Sequence, residues 1–179
     1  MNRKKCKHCR EYFRPEKRLQ HYCLKAECVE AWVISLREAQ WKKRKKQIKE
    51  ELKTLEDYYQ EALKAFNAYI RERDKNKPCV SCGAKEGTYR ITSGHYFPQG
   101  QNRSIALDER NAHGQCWYNC NSNKSGNLSE YLPELINRIG QDGYDELQRL
   151  RHETKKYNRD DLKAIREDYK EKLKELRRN

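Results

Sequence analysis

Eight cysteines fall into four close pairs: Cys6 with Cys9, Cys23 with Cys28, Cys79 with Cys82, and Cys116 with Cys120. Pairs at these spacings (C-x2-C, C-x4-C, C-x2-C and C-x3-C) form turns that aim two thiolates at one tetrahedral ion. Two zinc sites of four sulfurs each then account for every cysteine. His8 and His21 lie inside the first quartet and are candidate replacements for a thiolate; the simpler count leaves them outside the ligand set. The competing reading is a disulfide framework, which belongs to secreted domains. The first ten residues, MNRKKCKHCR, are basic and lack the apolar stretch of a secretory signal, so reduced thiols and an intracellular protein are expected.

A second constellation lies within the span of the later quartet. His95, Asn111 and His113 fall between its two cysteine pairs, and Asn121 directly follows Cys120. A zinc ion that pins both ends of this segment can bring a strand-end imidazole near a carboxamide that opens a helix. The chemistry open to such a pair is metal-assisted phosphodiester cleavage. A neutral imidazole takes a proton from water, and a Mg2+ or Mn2+ ion held by few protein ligands stabilises the leaving oxygen. Taken singly, each residue has a plainer reading: a histidine is often only hydrogen-bonded, and an asparagine after a cysteine often only caps a turn.

The elements that must position these groups read as follows. Residues 1–30 form an N-terminal four-cysteine module with Phe13, Pro15 and Tyr22 as its miniature core. Residues 31–77 carry no proline or glycine, and Ile48, Leu52, Leu55, Tyr59, Ala62, Phe66 and Tyr69 recur at steps of 4 and 3. That pattern predicts one long basic helix, or two in line, with an apolar seam. The seam packs on the chain's own C-terminal helices or on a second copy, which makes a homodimer a candidate assembly. Pro78 ends this helix and opens a zinc-stapled core over 78–127, with a short strand around Tyr89 and Ile91 that ends at Ser93–Pro98. Helices return over 128–179. Leu132, Leu135, Ile136 and Ile139 share a face before a stop at Gly140, and a short helix covers Tyr144 to Leu150. A last helix begins near Asn158, with Asp161 as its capping partner. The fold class is mainly α with small zinc-bound α+β modules.

Only 35% of the residues are hydrophobic and 37% are charged, so zinc must supply folding energy that a small apolar core cannot. The net charge of +13 is uneven. Residues 1–49 hold 16 Lys+Arg against 5 Asp+Glu, and the remainder 24 against 22. The surplus peaks at Lys42, Lys43, Arg44, Lys45 and Lys46. Such an arm attracts a polyanion, and DNA is the expected partner, with Arg103, Arg110 and Lys124 as further candidate phosphate contacts. A membrane surface is not expected, because the run lacks a matching apolar face.

The segments PCVSCG (78–83), GHY (94–96), ERNAHGQC (109–116) and CNSNKSGN (120–127) resemble the HNH, or ββα-metal, nucleases with a zinc-stapled core. With FNAYIRERD (66–74), ELINRIG (134–140) and the basic cysteine-bearing N-terminus, the chain more closely resembles the phage NinG (Rap) recombination proteins over nearly its whole length. The resemblance implies a structure-specific DNA endonuclease that cuts Holliday junctions and D-loops, working with other recombination proteins in the host cytoplasm. It implies His95 as general base, Asn111 as the residue that orients it, and Asn121 as a ligand of the catalytic ion, with Asn123 as the fallback. Where many HNH enzymes carry an acidic ligand before the base, this chain has Gly94. The candidates to replace that ligand are His113, Asp108 or Asn127, the alternative being that His95 binds the metal rather than acting as base.

Overall fold

The structure, a computed structural model, describes residues 2–178. It is mainly helical, with two small two-stranded sheets, and divides into two compact units, Met1–Lys53 and Thr54–Asn179. Among the described residues no helix is long and apolar enough to cross a membrane.

In the first unit, strands β1 (Lys4–Lys5) and β2 (Tyr12–Phe13) pair antiparallel, and helix α1 (Ala26–Glu51) follows. Phe13 and Tyr22 pack against Cys6, Cys9, Cys23 and Cys28, and Pro15 is buried, which gives the small core that the sequence predicts. Helix α1 is rich in strong helix formers and buries only Cys28. The five cations from Lys42 to Lys46 lie on it exposed to solvent.

The apolar seam does not run unbroken. Thr54 ends it with a reciprocal cap: its Oγ1 accepts from the Asp57 N–H at 3.2 Å, and the Asp57 carboxylate accepts from the Thr54 N–H at 2.8 Å. Helix α2 (Leu55–Arg73) therefore starts afresh, and the second of the two expected arrangements, two helices, is the one present. The cap divides the fate of the seam. Tyr59, Ala62 and Phe66 are buried against Leu162 and Tyr169 of helix α4 (Arg159–Arg178), whereas Ile48, Leu52 and Leu55 remain exposed. Phe66 meets Tyr169 edge-on with ring centroids 5.0 Å apart. The chain's own last helix thus takes the face that a coiled-coil partner would need over Tyr59–Phe66. The start of α4 is as expected, with Asn158 and Asp161 exchanging backbone and side-chain hydrogen bonds.

Strands β3 (Ile91–His95) and β4 (Ala112–Cys116) form an antiparallel hairpin whose register pairs Ile91 with Cys116, Gly94 with His113 and His95 with Ala112. A 3-10 turn (Glu109–Asn111) leads into β4 and a π-helical turn (Trp117–Ser122) follows it. Helix α3 (Leu128–Leu150) is broken at Gly140, whose φ of 75° few side chains tolerate. The expected stop is therefore a kink, after which the helix resumes and buries Leu147.

Asp74, fully buried just past α2, fastens that helix to the hairpin. Its carboxylate accepts from Arg73 at 2.7 and 3.0 Å, from Lys77 at 3.0 Å and from the Gly114 N–H at 2.8 Å. A Cβ on Gly114 would come within 2.8 Å of the Asp74 side chain, so glycine is what permits this approach. Burial pushes the carboxyl up, but the Arg73 guanidinium, the Gly114 amide and Lys77 outweigh it and hold the group well below the usual carboxylate range. A carboxylate with a depressed folded-state pKa stabilises the protein above its unfolded pKa of about 3.9 and loses that contribution as pH falls below it. Asp74→Asn is expected to destabilise the second unit by about 3–5 kcal/mol at neutral pH. In urea titrations the gap between variant and wild type should close as the medium is acidified below about pH 4; a gap independent of pH would remove the charge from the explanation.

Candidate functional site

Each cysteine quartet brings its four sulfurs within 4.8 Å of one another. Cys9 and Cys23 lie 3.7 Å apart, Cys82 and Cys116 3.8 Å, and Cys79 and Cys120 4.0 Å, sulfur to sulfur. A disulfide requires about 2.05 Å, whereas the edge of a tetrahedron with Zn–S bonds of 2.3 Å is about 3.8 Å. The donor set and the spacing fit zinc at both quartets. Backbone amides converge on the sulfurs: Cys23 N–H donates to Cys6 Sγ and Cys116 N–H to Cys79 Sγ, each at 3.3 Å. Burial pushes the Cys6 thiol up, but the amides of Cys23, His8 and Cys9 outweigh it and bring the group down to about 6. Burial and the neighbouring sulfurs push Cys28 the other way, up to about 12, so the quartet gives up all its protons only as an ion binds. His8 and His21 lie outside both clusters.

The second quartet anchors the hairpin. Cys116 ends β4, Cys120 lies in the π-helical turn, and the Cys79–Cys82 corner is tied to β4 by the Val80 N–H donating to Gly114 O at 3.0 Å. His95 stands at the opposite end of β3 from the second cysteine quartet. Its Nε2 is 2.9 Å from the Ala106 carbonyl, and its ring lies 5.8 Å from that of Phe66. The carbonyl requires an N–H on Nε2, which makes Nδ1 the basic nitrogen. Burial pulls the imidazole below its ordinary pKa, and the Ala106 and Ser93 carbonyls offset this only in part, so the ring is neutral near pH 7.

The loop that presents the Ala106 carbonyl is held by Asn111. This side chain is fully buried: Oδ1 accepts from the Phe97 N–H at 2.9 Å, and Nδ2 donates to the carbonyls of Phe97 and Ile105 at 3.1 and 3.2 Å. Every hydrogen-bonding capacity of the carboxamide is spent on loop shape except one lone pair. Asn111 thus shapes the loop whose Ala106 carbonyl meets His95.

The structure does not bring His113 to His95. Side chains alternate across a strand, and the pairing of Gly94 with His113 puts the two imidazoles on opposite faces of the hairpin. His113 is buried against Tyr131 of α3, with its Nδ1 3.3 Å from the Tyr131 hydroxyl, which donates to the Gly94 carbonyl at 2.9 Å. Burial, reinforced by the Arg73 and Arg138 charges, pulls its pKa down to about 3. Asp108 is also committed, capping the 3-10 turn and bonding Arg110 at 2.8 and 3.1 Å. Asn127 opens α3 in a left-handed conformation and donates to Cys120 Sγ at 3.6 Å. Asn121 is half-buried in the π-helical turn and Asn123 is exposed, and neither carboxamide has a hydrogen-bond partner among the described residues. The segment bearing them is clasped to the hairpin: Gly126 N–H donates to Cys120 O, Gln115 donates to Gly126 O, and Tyr131 reaches Gly94 O.

Of the isolated cations, Lys124 is exposed in this turn, but Arg103 pairs with Glu56 and lies over the Tyr59 ring at 4.0 Å. Arg110 bridges Asp108 and Glu146. Both arginines are therefore largely neutralised within the fold.

The model of the family described as Bacteriophage Lambda NinG protein matches residues 1–179. The chain belongs to the NinG family. It is 36% identical to Protein ninG of Escherichia phage 933W over 192 residues, covering 98% of this chain and 94% of that one. It is 35% identical to the ninG proteins of Escherichia phage lambda and Salmonella phage P22, in each case over 195 residues with the same coverage. No solved structure matches the chain. In this NinG-family protein Gln115 is the polar residue near Gly94 that the sequence did not single out. It is 1% exposed, and its amide nitrogen donates at 2.6 Å to both Ser81 Oγ and Gly126 O. The C-N-x-x-K motif at Cys120–Lys124 does not mark this residue; the β3–β4 register does.

Proposed function

We propose that this NinG-family protein is a structure-specific DNA endonuclease that cuts branched recombination intermediates, Holliday junctions and D-loops, by metal-assisted hydrolysis. The observation that carries the reading is the pairing of His95 Nε2 with the Ala106 carbonyl on a loop shaped by Asn111. That pairing puts the ring proton on Nε2 and leaves Nδ1 as the nitrogen that would take a proton from water. The hydroxide so formed attacks phosphorus, and the bond to the leaving oxygen breaks. Asn121, with Asn123 and Asn127 in the same turn, offers neutral oxygen donors suited to a weakly held Mg2+ or Mn2+ that retains waters and a substrate phosphate. Such an ion, when bound, stabilises the charge on the leaving oxygen. The two zinc sites are structural in this scheme. They fix the hairpin and the N-terminal module and leave no open coordination position.

The exposed cations of α1 bind phosphates without reading sequence, which suits recognition of junction shape. Replacing Lys42, Lys43, Arg44, Lys45 and Lys46 with glutamine should weaken binding at low salt. It should also reduce the slope of log K against log salt by up to about 4.5, since each of the five phosphate contacts contributes about 0.9. Fluorescence anisotropy over a salt series reads this directly, and an unchanged slope would remove the arm from the interface. Symmetrical resolution of a junction needs two active sites, so a homodimer on the DNA, cooperating with other recombination proteins in the host cytoplasm, belongs to the same proposal.

One observation favours a second reading, a non-catalytic zinc-dependent protein that binds and shapes junctions. Among the described residues, the clusters of three or more Cys, His, Asp or Glu able to hold a metal are the two cysteine quartets. A catalytic ion would thus depend on amide oxygens. Incubating the zinc-loaded protein with a synthetic four-way junction and Mg2+ or Mn2+ separates the two. Metal-dependent incision near the branch point supports the nuclease, and saturating binding without incision supports the architectural role.

A further inference from the structure

The aromatic side chains of the second compact unit are buried or half-buried, with two exceptions among the described residues. Trp117 is 37% exposed and Tyr118 is 73% exposed. They occupy consecutive positions in the π-helical turn that follows β4. That turn is fixed at several points. Cys116 N–H donates to Cys79 Sγ at 3.3 Å, Trp117 N–H to Arg90 O at 2.9 Å, and Asn123 N–H to Tyr118 O at 3.0 Å. Cys120, buried within the turn, belongs to the second quartet. Two rings kept in solvent by a pinned backbone lose little freedom when a flat ligand stacks on them.

The surroundings of the rings select the ligand. No Asp or Glu occurs from Gly87 to Leu107 or from Asn111 to Ser129, the stretches that form the hairpin and the turn. The charges beside the rings are exposed cations. Lys124 closes the turn, and the Arg90 guanidinium carbon lies 6.0 Å from the Trp117 ring centroid, at the outer edge of a cation–π contact. The other exposed side chains of this segment, Asn119, Ser122, Asn123 and Ser125, are neutral hydrogen-bonding groups. An apolar protein partner would meet amides and cations there instead of aliphatic surface. A nucleobase offers a π-face to the rings, polar edges to the amides and an adjoining phosphate to Arg90 or Lys124. Within a duplex each base face is covered by its neighbours, so the base that stacks here must be unpaired.

We infer that Trp117 and Tyr118 form a stacking platform for unpaired bases, the kind that the displaced strand of a D-loop presents. The inference rests on the DNA-binding reading above and names the single-stranded part of its substrate. Its test compares two labelled probes by fluorescence anisotropy: a fully paired duplex, and a forked duplex with the same paired length and two unpaired oligo(dT) arms. The protein is full-length and zinc-loaded, and zinc content with circular dichroism reports that each variant is folded. Trp117→Ala and Tyr118→Ala are each expected to weaken binding of the forked probe by about fivefold or more. Affinity for the paired duplex, which depends on phosphate contacts, should stay within about twofold of wild type. Trp117→Phe keeps a ring and should retain most of the affinity for the fork.

A second readout follows the ring itself. Tryptophan occurs three times in the chain, at 32, 41 and 117, so changing Trp32 and Trp41 to Phe leaves Trp117 as the sole indole fluorophore. Saturation with the forked probe should quench it, as stacking against a base does. Equal losses on both probes, or no loss in folded Trp117→Ala and Tyr118→Ala, would overturn the inference and leave the DNA-binding reading standing. An unquenched Trp117 with the fork bound would do the same. If the wild type binds neither probe, the DNA-binding reading itself falls, and this inference with it.

Discussion

His95→Ala is expected to abolish incision of a four-way junction while junction affinity stays within about twofold of wild type. General-base catalysis by a positioned imidazole contributes about 10²–10⁴ in rate. Removing the ring does not touch the cations of α1, which lie in the other compact unit. The pH dependence gives the claim a second arm. Burial lowers the His95 pKa, so the base remains unprotonated at pH values where a solvent-exposed histidine would already be charged. The acid limb of the single-turnover rate should accordingly lie below pH 6.5, the ordinary histidine value of about 6.5 being the reference. Replacing Asn111 is expected to act differently from His95→Ala, because it frees the 97–111 loop and so misorients a base that is still present. Incision unaffected by His95→Ala would assign the chemistry elsewhere.

Zinc removal should produce the largest loss of structure. Three of the four sulfurs of the second quartet are buried, and they join segments that lie 34 to 41 residues apart in sequence. Structural zinc in small modules is worth about 10–16 kcal/mol of apparent binding energy, comparable to a domain's whole net stability of about 5–15 kcal/mol. Chelation or Cys82→Ser is therefore expected to unfold the β3–β4 hairpin region, with loss of its amide protection in hydrogen exchange. Cys9→Ser should unfold the first module while leaving the second unit folded. Elemental analysis should return two zinc ions per chain in the wild type, one in either single variant and none when Cys9 and Cys82 are changed together. A disulfide between any of these cysteines in protein prepared under reducing conditions would contradict the assignment.

What the sequence revealed depended on the range of the interactions. Cysteine pairs three to five residues apart are local, and the two quartets could be read directly. So could the start of α4 from Asn158 and Asp161, and the interruption at Gly140. The break between α1 and α2 was equally local in the Thr54–Asp57 box, but the regular apolar steps from Ile48 to Tyr69 run across it and mask it. Features set by register or by distant pairing were not visible. Arg103 and Arg110 read as free cations, yet Glu56 and Glu146, 47 and 36 residues away, partner them. His113 sits two residues after Asn111 and looks like part of one cluster, but strand alternation turns it to the other face. Gln115 acquires meaning only because the hairpin register carries its side chain over Gly94. In each case the deciding contact comes from tertiary pairing that a linear pattern does not encode.

The most direct measurement is anomalous scattering from zinc-loaded crystals soaked with Mn2+. The account predicts a manganese peak distinct from both zinc sites, touching the Asn121 carboxamide on the flank of the hairpin whose end carries His95. A fully occupied pair of zinc sites with no manganese beside Asn121, at concentrations that support binding in solution, would contradict it.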